Sequence, residues 1–412
     1  MTKCRIAGDE LQPLFTIGDL YVSNFLRPEE KSEDFLKGNL TLAKSNTSGL
    51  VQLTETTDFD TMYRNYWYNS GTNQSMTNEL SNIVESIKNR IDLDVAGAWL
   101  DIGCNDGTLL SFVNDMFRVG CDPSSSAKAA DKMDNLDDLI PEYFSYENCK
   151  RFGKYQIITA IAMFYDLENP AQFLQDIHKS LEIDGLFVIQ MSYLPLMIQQ
   201  LAFDNICHEH LTYYSLSVLN KLLKDSGFLV VDCEINDTNG GSFRVYCQRQ
   251  DANIHSFGTA PFRDVAKFRV ESILEYEKGL GLDDDRTYYN FMCDVRELKR
   301  NLIETIINIK SEGKTIWGYG ASTKGNTLLQ YFGLDYSFID AIAERQPMKC
   351  GLRTIGTEIP IRSEEAMRKA NPDYLLILPW HFVHEFTQRE KYYLEDGGKF
   401  IVPCPKLEII SK

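Results

Sequence analysis

Trp99-Leu-Asp-Ile-Gly-Cys-Asn-Asp-Gly-Thr-Leu-Leu110 decides the fold. An apolar run over 99–102 enters a turn bracketed by Gly103 and Gly107, with acids at Asp101 and Asp106, and a helix is expected after it. Twenty-one residues beyond Asp101, a second apolar run closes on Asp122 in Val119-Gly-Cys-Asp-Pro-Ser124. Strand, glycine turn, helix and an acid-ended strand are the parts with which a doubly wound α/β sheet holds an adenosine. The glycines let backbone approach the ligand, and the acid accepts hydrogen bonds from ribose hydroxyls.

The same loop chooses among adenosine ligands. A dinucleotide site follows G-x-G-x-x-G and leaves a helix N-terminus open to pyrophosphate. Gly103-Cys-Asn-Asp-Gly107 instead puts acids where phosphates would sit. That disfavours NAD or FAD and favours a phosphate-free adenosine bearing a cation, which is S-adenosylmethionine. Asp101, Gly103, Asn105, Asp106, Gly107 and Asp122 are the candidate cofactor residues, with Met163 in the loop after a later strand. The bland alternative is an ordinary strand–turn–helix with surface acids, and the spacing to Asp122 argues against it.

Composition bounds the rest. At 412 residues the chain exceeds one typical domain, and 43% hydrophobic content is ample for several cores. A net charge of −17 excludes a broad nucleic-acid or anionic-membrane surface, so an anionic substrate must meet a local basic cluster. No signal-like leader opens the chain, and no apolar run approaches the ~18 residues of a membrane span. A soluble, cytoplasmic protein is expected, without membrane or nucleic-acid partners, as a monomer or weak homo-oligomer. The ten cysteines form no Cys-x-x-Cys pair and read as reduced, buried thiols. Of the six histidines, two pairs are close in sequence, but neither has a cysteine cluster at metal-ligand spacing. No metal site is expected.

Residues 1–80 read as a small leader module with a strand at Leu50-Val-Gln-Leu53. Its end, Tyr63 to Met76, is dense in aromatic and amide side chains, including Tyr68 and Asn73. It is either a solvated turn or a lid over a polar ligand. From 81 to 250 helical and strand patterns alternate: a helix over 78–90, strands over 96–102 and 155–160, a helix over 171–181, then strands over 186–190 and 228–231. Gly240-Gly-Ser-Phe-Arg-Val-Tyr-Cys247 completes an antiparallel hairpin at the sheet edge. The count is close to that of a seven-stranded methyltransferase sheet.

Residues 251–310 read as amphipathic connecting helices. A second α/β unit, 311–412, opens with Lys314-Thr-Ile-Trp-Gly-Tyr-Gly-Ala-Ser-Thr-Lys-Gly-Asn-Thr-Leu-Leu329. Its turn carries Ser322, Thr323 and Lys324 and no acid, which suits a phosphate. Strands over 341–344 and 374–378 follow, the second running into Pro-Trp-His381.

Chemistry is expected in the loops after the fourth strand of the first unit, Ser192-Tyr193 and Asn205-Ile-Cys-His-Glu-His-Leu-Thr-Tyr-Tyr-Ser215. His208, Glu209 and His210 bring two bases and a carboxylate together. They read as a general base with its orienting partner, as a metal pair lacking its third ligand, or as packing histidines.

Residues 101–110, the His-Glu-His with Tyr213-Tyr214-Ser215, Gly240-Gly-Ser242 and Gly318-Tyr-Gly-Ala-Ser-Thr-Lys-Gly-Asn326 occur in that order. In these motifs, over nearly its whole length, the chain resembles the nucleotide-sugar C-methyltransferases that act at C3 of dTDP- or GDP-4-keto-6-deoxysugars. The resemblance implies a class I S-adenosylmethionine methyltransferase sheet, a C-terminal Rossmann-like domain and a small N-terminal zinc-type module. It implies that His210 is the base, with Glu209 or His208 orienting it, and that the sugar nucleotide lies between the central and C-terminal domains. Ser322, Thr323 and Lys324 would then hold the diphosphate, with Lys349 as a further candidate unless it is an exposed turn lysine. Tyr68, Asn73 and Asn326 are the other substrate candidates, and Tyr193 and Tyr214 the further catalytic ones.

The chain departs from that family at two places. The zinc module's two Cys-x-x-Cys pairs align with Cys4 and Ala7, and with Ser45 and Ser48. Neutral hydroxyls are poor zinc ligands, so the module is expected to fold without zinc. A tyrosine before His-Glu-His is replaced by Cys207, and a histidine in the loop after the third strand by Asp166. Tyr193, Tyr213 and Tyr68 are candidate replacements for the lost phenol.

The implied reaction removes the acidic C3 proton beside a 4-keto group, stabilises the enolate with a hydrogen-bond donor, and lets the carbon attack the sulfonium methyl. The competing readings are O-methylation of a sugar hydroxyl and a non-catalytic nucleotide-binding protein.

Overall fold

The strand Ala98–Ile102 is the centre of the molecule, flanked by parallel Phe117–Cys121 on one side and Tyr155–Ile161 on the other. The computed structural model describes residues 3–57, 69–130 and 134–412. The central sheet runs in the order Phe228–Asn236, Ser242–Arg249, Leu181–Ser192, Tyr155–Ile161, Ala98–Ile102, Phe117–Cys121, Asp138–Ile140. Six strands are parallel; Ser242–Arg249 alone is reversed, set between two of them by the turn at Gly240 and Gly241. This is the class I methyltransferase topology.

Apolar helix faces cover both sides of that sheet. Helix Gln74–Lys88 starts where Asn73 accepts the N–H groups of Ser75 and Met76, and it buries Met76, Leu80, Ile83, Val84 and Ile87. That stripe packs with Trp99 and Leu110, so the helix belongs to the central core. On the other face lie Pro170–Ser180 and Leu216–Asp225, capped by Asn169 and Ser215. The helix expected after Gly107 does not form, and only a 3-10 turn, Leu110–Phe112, follows. Asp106 takes both the N–H (3.3 Å) and the hydroxyl (2.6 Å) of Thr108 in a local turn, and Phe117 already begins the next strand.

The N-terminal module is a sheet of Leu11–Tyr21, Lys37–Ser45 and Val51–Leu53, completed by Thr212–Tyr213. The fourth strand is thus the stretch directly after His-Glu-His. At the place of the zinc site, Cys4 Sγ accepts the N–H groups of Ile6 and Ala7 (both 3.4 Å) and lies 3.3 Å from Ser48 Oγ. Ser45 Oγ donates to Asp9 (2.8 Å). Among the described residues, no group of three or more histidines, cysteines or acids could hold a metal ion.

The C-terminal sheet runs Ile361–Ser363, Ala341–Glu344, Ile316–Tyr319, Tyr374–Ile377, Lys399–Val402, Glu408–Ile410, all parallel except the last. The long helix Asp285–Ser311 buries Val295, Leu302 and Ile306 against it. One apolar cluster continues from there through Phe203 to Ile17 and Leu42 of the N-terminal module. The connector therefore packs as core. No described helix is long and apolar enough to cross a membrane.

Candidate active site

In an open α/β sheet, ligands bind where strand order reverses, at the carboxyl ends of the strands. In the central sheet that point lies between Ile102 and Ile161; in the C-terminal sheet it lies between Tyr319 and Ile377. The two crevices open on each other. They share a cavity of about 220 Å³, lined from one side by Asp101, Gly103 and His210 and from the other by Ser322, Lys324 and His381.

The central crevice fits S-adenosylmethionine. Gly103 has φ +73°, and a Cβ there would lie 3.3 Å from Met163 Cγ, so only glycine leaves this approach open. Asn105 is also left-handed (φ 49°), held by its N–H to Asp122 Oδ2 (2.9 Å). Asp122 Oδ1 accepts from Ser124 N (2.8 Å), and each oxygen keeps a further lone pair for a ribose hydroxyl. Asp122 and Met163 line an apolar slot with Tyr143, Phe144 and Phe173 beside the shared cavity, shaped for a flat base. Burial, with Asp122 adding to it, raises the Asp101 carboxyl to about 7 against a hydrogen bond from Thr159 (2.6 Å).

Two expected cofactor residues do other work. Asp106 accepts Gly71 N (2.8 Å) as well as Thr108, and neither it nor Gly107 reaches the cavity. With Asn105 Oδ1 accepting Ser70 N (3.0 Å), the loop holds residues 69–73 across the site. Tyr68 lies outside the described residues.

His210 has the geometry of a base. Its Nδ1 lies 3.0 Å from the carbonyl oxygen of Asn205. A carbonyl can only accept, so Nδ1 carries the proton and Nε2 holds the free lone pair. Burial, with the Lys324 charge adding to it, lowers the imidazole to about 3, so it is neutral at ordinary pH. Tyr165 packs on the ring at 4.2 Å between centroids. Glu209 lines the same cavity, its carboxyl raised by burial.

The remaining catalytic candidates are corrected by their placement. His208 turns away: its Nε2 donates to the Gly38 carbonyl (3.2 Å) in the N-terminal sheet, so it does not orient His210. Tyr193 donates to Glu277 (2.6 Å), which also accepts the N–H groups of Leu216 and Ser217. Tyr214 is fully buried against Phe164. None of the three lines the cavity. Tyr213, a candidate replacement phenol, donates to the same Asn205 oxygen that holds His210 (3.3 Å).

The substrate candidates also divide. Ser322 and Thr323 line both the shared cavity and its mouth, where Asn73, Arg345 and Arg389 also lie. Ser322 Oγ caps its helix through Gly325 N (3.0 Å). Lys324 points inward to the cavity of His210, away from the mouth. Lys349 is buried, lines the mouth, donates to the Ala321 carbonyl (2.8 Å) and sits over the Phe25 ring, which rules out an exposed turn lysine. Asn326 is buried and donates to Ser23 Oγ and Asn24 O, tying the C-terminal domain to the N-terminal module. Tyr165 and His381 are site residues that sequence reasoning left unassigned. Each stands just after a strand that borders a reversal point, which is the signal that marks them.

Sheet order, glycine cradle and buried acid define a methyltransferase that uses S-adenosylmethionine. Residues 75–232 match the methyltransferase domain family, and residues 237–405 match the C-methyltransferase C-terminal domain family. The chain belongs to the C-methyltransferases that combine these two domains. It is similar to C-methyltransferase NovU of Streptomyces niveus, with 29% identity over 421 residues covering 99% of this chain and 97% of that protein. Among solved structures, the Synechocystis magnesium protoporphyrin IX methyltransferase aligns with 43% of this chain and 83% of its own (TM-score 0.34, 14% identity). A methyltransferase from Clostridium acetobutylicum aligns with 42% and 92% (TM-score 0.34, 13% identity).

Proposed function

We propose that the protein methylates C3 of a nucleotide-linked 4-keto-deoxysugar through an enolate made by His210. The observation that carries this reading is the open Nε2 of His210 in a cavity shared by two nucleotide-type crevices. A saturated carbon beside a ketone is a nucleophile only after losing its proton, so its methylation needs a fixed, unprotonated base beside the methyl donor. S-adenosylmethionine supplies a methyl on a sulfonium, whose C–S electron pair returns to sulfur as the new carbon–carbon bond forms. Asp101, Gly103 and Asp122 would hold it.

The second crevice suits the diphosphate of the substrate. The N–H groups of residues 322 and 323 stand at the N-terminus of helix Thr323–Phe332, and Arg345 lines the mouth beside Arg389, which is paired with Glu364 (3.0 Å) and Glu385 (3.3 Å). The sugar would then extend inward to His210.

The test offers dTDP- and GDP-4-keto-6-deoxysugars in deuterated water. The expected product carries one methyl on C3, with solvent exchange of the C3 proton. Methylation of a fully reduced sugar without exchange would show an O-methyltransferase, and retention of the cofactor without turnover a binding protein; either result defeats the reading.

A further inference from the structure

An enolate places a full negative charge on O4, and a donor in the cavity must meet it. The phenol that could do so is absent from position 207, where Cys207 is buried and its thiol is pushed well above its ordinary range by burial. Tyr193, Tyr213 and Tyr214 are turned elsewhere, and Tyr165, which lines the cavity, offers a neutral phenol and not a positive charge. Among the described residues lining the cavity, Lys324 is the only lysine or arginine. We infer that Lys324, presented by the C-terminal domain, is the catalytic residue that stabilises the enolate oxygen, and not an anchor for the diphosphate.

The seat of Lys324 is built across the domain boundary. Its Nζ donates to the carbonyl oxygen of Asn239 (3.1 Å), in the turn after strand Phe228–Asn236. Asn239 adopts the left-handed φ 55°, a strained conformation that aims this carbonyl. The turn is pressed onto the C-terminal domain: a Cβ on Gly240 would lie 3.1 Å from the Trp380 ring. Trp380 in turn donates to buried Asp204 (3.0 Å); burial lowers the Lys324 ammonium, and the Asp204 carboxylate opposes that shift. One of three ammonium protons is committed to Asn239, which leaves two for the cavity. His210 and His381, which line the same cavity, are both held neutral by burial and by the Lys324 charge.

The assignment rests on the proposed C3 methylation. His210 Nε2 takes the C3 proton; the C–H pair becomes the C3=C4 bond, and the carbonyl pair moves onto O4. Lys324 donates a hydrogen bond to that oxygen. When C3 gains the methyl the ketone re-forms, so the ammonium ends with the protons it began with. His210 returns its proton to solvent on product release.

The experiment follows C3 exchange in deuterated water, methyl transfer and KM for the sugar nucleotide in wild type and Lys324→Met, with S-adenosylmethionine binding as the folding control. Exchange and kcat are expected to fall together by ~10²- to 10³-fold, with KM changed less than ~3-fold. A raised KM with kcat and exchange unchanged would make Lys324 a diphosphate anchor and overturn the assignment. Where the methionine variant does not retain the cofactor, Lys324→Gln is read with the same two outcomes. Absence of exchange in the wild type with every ketosugar defeats the parent reading and this one together; wild-type exchange that persists in the variant defeats this one alone.

Discussion

Nδ1 of His210 and the carbonyl oxygen of Asn205 are 3.0 Å apart, and that contact fixes the tautomer of the ring. It leaves Nε2 as the only basic atom of the ring. Replacing His210 by Asn keeps a donor for the carbonyl and removes the base. We expect kcat to fall ~10²- to 10⁴-fold with cofactor affinity unchanged. Exchange at C3, measured by mass spectrometry, should vanish with it. Full activity in the variant would assign the base elsewhere.

Asp101 is expected to lose its proton on cofactor binding. Its carboxyl is raised to about 7 by burial, so the free protein holds it protonated below that pH. A cationic ligand favours the carboxylate, so binding releases a proton there. Affinity for S-adenosylmethionine should climb by up to ~10-fold per pH unit from about 5 to 7 and level off above. The sign for stability is the reverse. Between about 4 and 7 the folded carboxyl keeps a proton that the unfolded one has lost, so the ligand-free protein loses stability as pH rises. Titration calorimetry in buffers of different ionisation enthalpy reads the released proton. Asp101→Asn should abolish the slope, and an unchanged slope in that variant would refute the assignment.

The strand ends and glycine turns were legible from the chain because their signals are local: Ala98–Ile102, Ala341–Glu344 and the turn at Ser322 appear where periodicity and glycine spacing put them. What was hidden depends on contacts between distant segments. Nothing near Lys324 in the sequence announces the carbonyl of Asn239, 85 residues away, that draws its side chain inward. Tyr193 looks catalytic at the end of its strand, yet Glu277, 84 residues on, claims its hydroxyl. Asn326 belongs to the glycine motif but serves the N-terminal module. The first pair of helix and loop failed for a nearer reason, because Asp106 bonds Thr108 and Gly71 where a helix N-terminus was expected.

Tyr193→Phe separates structure from catalysis. The hydroxyl donates to a buried carboxylate that also gathers two N–H groups at the start of helix Leu216–Asp225. Its loss removes one hydrogen bond to a charged group, about 1.5–3 kcal/mol. The midpoint of thermal unfolding should drop by several degrees while kcat at a permissive temperature stays within ~2-fold of wild type. A fall in kcat of ~100-fold at unchanged stability would return Tyr193 to the catalytic group.

The N-terminal module should stand without metal, because its ligand positions are already committed to hydrogen bonds. Cys4 Sγ accepts two backbone N–H groups, and Asp9 accepts Ser45 Oγ (2.8 Å) and Thr47 N (3.3 Å). Burial is the largest single influence on the Asp9 carboxyl and raises it, but the hydrogen bonds from Ser45 and Thr47 together outweigh it and leave the carboxyl lowered, so the stability it contributes is present above about 4 and lost as pH falls below that. A strong chelator should leave the unfolding midpoint unmoved. Asp9→Ala should cost about 1 kcal/mol. It should also reduce turnover, since Val51–Leu53 pairs with Thr212–Tyr213, two residues past His210. Stoichiometric zinc in the purified protein, or a midpoint that drops by many degrees with chelator, would show that hydroxyls and one thiol suffice to bind the ion and that the hydrogen-bond account of the module is wrong.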